Sequence, residues 1–102
     1  MTYKIVYTAF AERDIWEIAY HLSDHSLPAA ESFLRSVKDK IDGLADMPLM
    51  YTKIEDYHEY RKMVAGNYIV LYEVNEQNKA VVILRVVHGK RNYQGNMIDK
   101  ES

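Results

Sequence analysis

The stretch from residue 60 to residue 93 constrains the fold most strongly, because its pattern predicts three strands joined by two short turns. Its sequence is YRKMVAGNYIVLYEVNEQNKAVVILRVVHGKRNY. Gly66 and Asn67 lie between two apolar runs, and these residue types best tolerate the positive φ of a two-residue hairpin turn. A second polar turn signal covers residues 75–78. We therefore predict three consecutive antiparallel strands.

The turn positions predict which residues face each other across the two hairpins. If Gly66 and Asn67 form the whole first loop, three pairs follow: Ala65 with Tyr68, Met63 with Val70 and Arg61 with Tyr72. If the second loop has four residues, two further pairs follow: Tyr72 with Val81 and Tyr68 with Arg85. Because successive side chains of a strand point to opposite sides, this register sorts the side chains onto two faces.

One face of the predicted sheet is mainly aliphatic, and we predict that it covers the core. Its members are Val64, Ile69, Leu71, Val82, Leu84 and Val86, with polar Lys62, Glu73 and His88 towards the ends. The opposite face carries Arg61, Met63, Tyr68, Val70, Tyr72, Val81, Ile83 and Arg85. Because exposed apolar and aromatic side chains mark binding surfaces, we predict that this second face meets a partner. In the alternative, its tyrosines lie flat on the sheet and its arginines extend into water.

The first half of the chain predicts one strand followed by two helices. Tyr3, Ile5 and Tyr7 alternate with other residues, which is typical of a short strand, and Thr8 can cap a helix. Ser26 is the predicted cap of a second helix that runs to about Ala45. Each helix has one apolar stripe: Ala11, Ile15, Ile18, Ala19 and Leu22 on the first, and Ala30, Phe33, Val37, Ile41 and Leu44 on the second. Asp14 is assigned to a position away from the first stripe.

Together these elements predict an α+β fold. An N-terminal strand and a helical hairpin pack on one face of a small, mainly antiparallel β-sheet. Met47 and Pro48 end the second helix, and residues 49–59 show no clean period, so we predict a connecting loop there. We assign residues 1–93 to a single domain and residues 94–102 to a polar C-terminal tail.

Composition narrows the classes of function. The chain has 102 residues and no cysteine, which excludes disulfides, thiol catalysis and cysteine-ligated zinc. No apolar run is long enough for a membrane span, and charged residues follow too early for a signal peptide, so we expect a soluble, cytoplasmic protein. The net charge is −2, yet residues 60–93 hold six basic and two acidic side chains. Residues 60–93 can therefore create a local positive potential although the chain as a whole has a negative net charge.

No common catalytic motif is present in the sequence. There is no nucleophile elbow, phosphate-binding glycine loop, zinc-protease helix or paired set of carboxylates, and the four histidines are scattered, so we predict no cofactor and no metal site. The remaining candidate site is basic and aromatic: Arg61, Tyr68, Tyr72, Arg85, His88, Lys90, Arg91 and Tyr93. Arginine and lysine can hold phosphates, and aromatic rings can stack on bases. His88 or Tyr93 can move a proton during attack by an RNA 2′-hydroxyl.

The order of these elements resembles a known family. A strand, a helical hairpin, a Met-Pro stop and then the segments RKMVAGNYIVLYEV and VVILRVVHGKRNY resemble the RelE/ParE superfamily of toxins from type II toxin-antitoxin modules. Two motifs carry most of the likeness and are similar to the ParE-type branch: Gly66-x-Tyr68-x-x-x-Tyr72 and Leu84-Arg85-Val86-x-His88-Gly89-x-Arg91. The resemblance covers the chain from about residue 3 to residue 93.

The resemblance implies a bacterial growth-arresting toxin that a cognate antitoxin wraps and neutralises. We expect the antitoxin near Arg61, Tyr72 and Arg85. ParE-type members poison DNA gyrase by binding, whereas RelE-type members are endoribonucleases that cleave mRNA on the ribosome. In the nuclease branch a functional arginine follows the tyrosine that matches Tyr68, and here that position is Ile69. Three functions stay open: a gyrase-binding toxin, a ribosome-dependent nuclease, and an inactive member that only binds antitoxin.

Arg91 is the residue on which the resemblance and the local chemistry agree. It matches the arginine of the family's glycine-basic-arginine turn, and it follows Gly89 and Lys90 just past the last predicted strand. Its guanidinium group can therefore reach a phosphate or a carboxylate with two parallel hydrogen bonds. The alternative is a surface salt bridge, for example to Asp99, which would contribute little to stability.

Overall fold

A computed structural model describes residues 2–55 and 57–89 of the chain. In chain order its elements are β1 (Lys4–Tyr7), α1 (Ala9–Ser23), α2 (Leu27–Gly43), β2 (Lys53–Ile54), β3 (Tyr57–Ala65), β4 (Tyr68–Asn75) and β5 (Ala80–His88). The predicted α+β fold is confirmed. The predictions for Lys90, Arg91, Tyr93 and the tail at 94–102 lie outside the described residues.

The strands form one sheet in the order β1-β5-β4-β3-β2. β1 pairs with β5 in parallel, and the other neighbouring strands are antiparallel. The prediction of a loop over residues 49–59 is wrong in part, because β2 and the start of β3 lie there and Lys53 pairs with Arg61. A strand of two residues is too short to produce a periodic pattern, so the sequence carried no signal for it.

Both helices begin where the sequence predicted. The Thr8 hydroxyl accepts a hydrogen bond from the backbone N–H of Ala11, and the Ser26 hydroxyl accepts one from that of Ala29. Pro28 lies in the first turn of α2, where no helical hydrogen bond to its nitrogen is needed. These caps satisfy N–H groups that a helix start otherwise leaves without partners, which fixes the ends of the hairpin.

The first strand hairpin has the predicted register, and Gly66 at its turn has a φ of +63°. The second hairpin differs from the prediction: Tyr72 pairs with Ile83 and Tyr68 with His88. One reason is that the turn covers residues 76–79, since Asn75 is still in β4 and its side chain accepts the N–H of Asn78. The other reason is a shift in the ladder between Leu71 and Tyr72.

The main core lies between the helices and one face of the sheet. Its buried members are Ala11, Val37, Ile41, Leu44, Met63, Ala65, Val70, Tyr72, Val81, Ile83 and Val86. The prediction of which sheet face covers the core was therefore wrong, because the face with Tyr72 packs against the helices and Val64 is 59% exposed. The opposite face carries a smaller cluster: Ile54, Ile69, Leu71 and Val87, with Tyr60 and Leu84 beside it.

Candidate functional site

Tyr72 is a core residue with a satisfied hydroxyl. Its side chain is 0% exposed, and its hydroxyl donates to the carbonyl oxygen of Pro48 at 2.9 Å. Burial raises the pKa of Tyr72 to about 12, because the surroundings disfavour the phenolate. The predicted open binding surface was wrong for this residue, since the phenol joins β4 to the segment that follows α2.

Arg61 joins the same segment to β3. Its Nη1 donates to the carbonyl oxygens of Tyr51 at 2.6 Å and Leu49 at 3.4 Å. The backbone N–H of Lys62 adds a further bond of 3.1 Å to the carbonyl of Thr52. We name residues 47–52 the pinned loop, because its carbonyl groups are held from the sheet while more than half of the surface of Met47, Leu49 and Met50 stays exposed.

Arg85 forms a buried ion pair with Asp14 of α1. Its Nε lies 2.6 Å from Asp14 Oδ2 and its Nη2 lies 2.9 Å from Asp14 Oδ1, and both residues are 8% exposed. The hydrogen bond to Asp14 raises the pKa of Arg85, so the guanidinium group stays charged. Arg85 Nη1 is buried and has no hydrogen-bond partner among the described residues. The predicted open surface was therefore wrong for Arg85 as well.

Asp14 is the residue that the sequence reasoning missed. It was assigned to a position away from the apolar stripe of α1, yet it lies under the sheet and also accepts the backbone N–H of Val86 at 3.0 Å. Its spacing did contain a signal, because it follows Ala11 by three residues and precedes Ile18 by four. A carboxylate on the buried side of a helix requires a cationic partner, and Arg85 is that partner.

Tyr68 and His88 are the predicted site residues that the structure brings together. Their rings lie 5.5 Å apart at 76°, and the ring of Tyr68 also packs against Phe33 of α2 at 4.9 Å. Both residues line an open cleft of about 240 Å³, which we call the Tyr68 cleft. Asp14, Glu17 and His21 of α1 form its other polar wall. Because Asp14 is compensated by Arg85, Glu17 gives the described part of the cleft its negative charge.

The predicted site residues in the described part of the chain therefore divide into two groups. Tyr68 and His88 line the cleft, with Arg85 held beside it through Asp14. Arg61 and Tyr72 are paired across β3 and β4 and hold the pinned loop. Among the described side chains, those of residues 2–55 and 59–89, there is no group of three or more metal-binding residues. In that same part of the chain, neither helix is long and apolar enough to cross a bilayer.

Several solved structures share this fold. The chromosomal ParDE toxin-antitoxin system from P. aeruginosa matches with a TM-score of 0.74 and 15% identity, over 85% of this chain and 96% of that chain. The isolated E. coli RelE toxin matches with a TM-score of 0.62 and 13% identity, over 98% and 99%. The RelBE2 toxin-antitoxin complex from Mycobacterium tuberculosis matches with a TM-score of 0.64 and 26% identity, over 86% and 99%.

Comparison of the sequence with family models identifies the family more specifically than the similarity of folds does. No curated protein matches the chain. A family model does match, over residues 5–93, and the family is described as the ParE toxin of the type II toxin-antitoxin system, parDE. Because this match spans both motifs and every described element from Ile5 onwards, the chain belongs to the ParE toxin family of type II toxin-antitoxin systems.

Proposed function

We propose that this chain is a cytoplasmic toxin that arrests growth by binding a protein target, without cleaving RNA, and that a cognate antitoxin neutralises it. The observation that carries the proposal is the ion pair between Arg85 and Asp14. This arginine is paired with Asp14, which lines the same cleft as Tyr68 and His88, so its charge is compensated inside the fold.

RNA cleavage on the ribosome requires exposed cations to hold the phosphate backbone. The Tyr68 cleft offers the carboxylate of Glu17 instead, which repels phosphate, while Asp14 is compensated by Arg85. Ile69, at the position where the nuclease branch has an arginine, is 9% exposed and belongs to the cluster on the opposite face of the sheet. These features favour a ParE-type binding function, for which DNA gyrase is the target to test first.

The proposal that an antitoxin binds this chain is supported first by its family. Both the M. tuberculosis and the P. aeruginosa structures are toxin-antitoxin systems, and the first is a solved complex. More than half of the surface of Trp16 and Tyr20 on α1, and of Met47 and Met50 in the pinned loop, is exposed. Exposed apolar side chains of this size usually lie under a second chain, which supports a partner that wraps the toxin.

The experiment is induction of the chain in bacteria with and without the antitoxin gene from its own operon. The proposal predicts growth arrest without antitoxin, a DNA-damage response and intact mRNA, and normal growth when the antitoxin is produced as well. Codon-linked cuts in mRNA would contradict the binding mechanism and support a nuclease. Normal growth at matched levels of folded protein would leave only antitoxin binding.

A further inference from the structure

Strand β5 breaks the alternation of its side chains at one point. Val81 and Ile83 face the helices, as alternation requires. Arg85 and Val86 are consecutive, yet the first pairs with Asp14 of α1 and the second belongs to the core beneath the helices. The ladder shifts at the same point, because Tyr72 pairs with Ile83 whereas Leu71 pairs with Arg85. Leu84 is therefore the extra residue of a β-bulge.

Helix α1 holds this bulge at two places. The Thr8 hydroxyl, which caps the helix, donates to the carbonyl oxygen of Leu84 at 2.9 Å. The Asp14 carboxylate accepts the backbone N–H of Val86 at 3.0 Å as well as Nε and Nη2 of Arg85. A bulge disrupts the local ladder and leaves its extra residue unpaired, and here α1 supplies partners for the affected groups.

The bulge decides which side of the sheet His88 occupies. Without it, strict alternation after Ile83 and Arg85 would place Val87 towards the helices and His88 on the opposite face. With it, Val87 lies in the cluster on the opposite face and His88 meets the ring of Tyr68. A shift of one residue would thus move the His88 ring away from the ring of Tyr68.

We propose that Asp14 is a positioning residue whose bond to Val86 fixes the register of β5 and thereby places His88 in the Tyr68 cleft. The bond to the backbone sets the register, and the ion pair with Arg85 holds the carboxylate in this orientation. The register does not depend on what the toxin binds. Only the consequence for toxicity rests on the proposed function, with the cleft as part of the active surface.

The decisive variant is Asp14→Leu with Arg85→Met. Replacing a buried ion pair by apolar side chains of similar volume is often tolerated by a fold, but leucine cannot accept the Val86 N–H. In this variant NMR should show loss of the contact between the rings of His88 and Tyr68. Exchange of the Val86 amide hydrogen should be faster by about tenfold or more, as expected for loss of a hydrogen bond to a charged group. A retained ring contact in the folded variant would overturn the proposal.

Two further variants separate the effect of the hydrogen bond between Asp14 and Val86 from the effect of negative charge on α1. Glu17→Gln removes one negative charge from the next turn of α1 in the same cleft, so it is the matched control and should leave both NMR signals unchanged. Asp14→Asn keeps one oxygen as a weaker acceptor, so the ring contact should persist while the Val86 amide exchanges faster. This variant also decides the question if the double variant does not fold, because an unchanged Val86 amide in Asp14→Asn would overturn the proposal.

Growth arrest is measured separately at matched protein levels. We expect the double variant to have lost toxicity. Glu12→Gln, an exposed change on α1 outside the cleft, should retain it. If the NMR contact is lost while toxicity stays complete, the register claim stands and the cleft is removed from the active surface. If wild-type protein itself is harmless, the proposed function fails, whereas the NMR result remains interpretable.

Discussion

Tyr72 is a residue whose aromatic ring fills the core while its hydroxyl supports a loop. The hydroxyl donates to Pro48, and its removal would leave a buried carbonyl group without this donor. Tyr72→Phe should therefore lower the free energy of unfolding by about 1–2 kcal/mol, measured by denaturant titration. Tyr68→Phe is the matched control on the same strand and should change stability by less than about 0.5 kcal/mol. Equal effects of the two variants would contradict a special role for the bond to Pro48.

The same phenol predicts a loss of stability at alkaline pH. Its pKa is about 12 in the folded chain and near 10.0 when unfolded, so the native state holds the proton more tightly. The contribution is complete below pH 10.0 and decreases as the pH rises towards about 12. Thermal unfolding of the wild type and of Tyr72→Phe should therefore converge over this range. Parallel curves would show that the native phenol titrates normally.

Arg91 lies outside the described residues, so its predicted role rests on its sequence motif alone. Its match to the glycine-basic-arginine turn predicts a role in target binding. Arg91→Ala should relieve growth arrest substantially, while stability changes by at most about 1 kcal/mol. Arg35→Ala, an exposed arginine on α2, is the control and should stay fully toxic. Full toxicity of Arg91→Ala at matched protein levels would remove Arg91 from the site.

The pinned loop shows how two strands determine the shape of a connection. Arg61 and Tyr72 hold its carbonyl groups, so its apolar side chains project from a fixed backbone. Arg61→Met should release this backbone and speed chymotrypsin cleavage after Leu49 and Tyr51 by about tenfold or more, followed by mass spectrometry. Lys53→Ala, an exposed change in adjacent β2, should leave the rate unchanged. Unchanged cleavage in Arg61→Met would mean that other contacts fix the loop.

These internal roles change how an interface can be tested. A loss of antitoxin affinity after changing Arg61 and Arg85 would report disruption of the pinned loop and of the buried ion pair, in addition to any lost contact. Exposed side chains such as Trp16 and Tyr20 are better probes, because their replacement leaves the core intact.

Local signals in the sequence predicted most of the elements. The caps at Thr8 and Ser26 and the turn at Gly66 act on neighbouring residues, so both helices and the first hairpin were predictable. The register of the second hairpin beyond Tyr72 was not, because the bulge there is bonded to Thr8 and Asp14, more than 70 residues away in the chain. The sequence of β5 and its neighbours includes neither Thr8 nor Asp14, so it could not predict the bulge.

The prediction of which sheet face covers the core was wrong for a related reason. Tyr72 and Arg85 carry polar groups, which favoured an exposed position for their face. In the folded chain Pro48 and Asp14 satisfy those groups, so the face can be buried at little cost. Of the predicted site residues, Tyr68 and His88 are the ones that meet in the cleft. The wall that α1 contributes to the cleft was not predicted.

The distribution of charge over the whole molecule limits what the toxin can bind. The net charge is −2. Among the described cations near the candidate site, Arg85 is compensated by Asp14 and Arg61 is bonded to loop carbonyls. Binding to a nucleic-acid backbone requires several cations that release counterions together, which gives a steep dependence on salt. The described surface near the cleft lacks such a cluster.

We therefore expect the purified toxin to bind single-stranded RNA more weakly than a Kd of about 10⁻⁴ M at physiological salt, measured by fluorescence anisotropy. A variant with Glu12→Lys and Glu17→Lys replaces two acids of α1 by cations and should bind detectably, which shows that the assay can respond. Tight, salt-sensitive binding by the wild type would mean that residues 90–93 or another surface form a phosphate site. Binding to gyrase that persists at the same salt concentration would support a protein target held by shape and apolar contact.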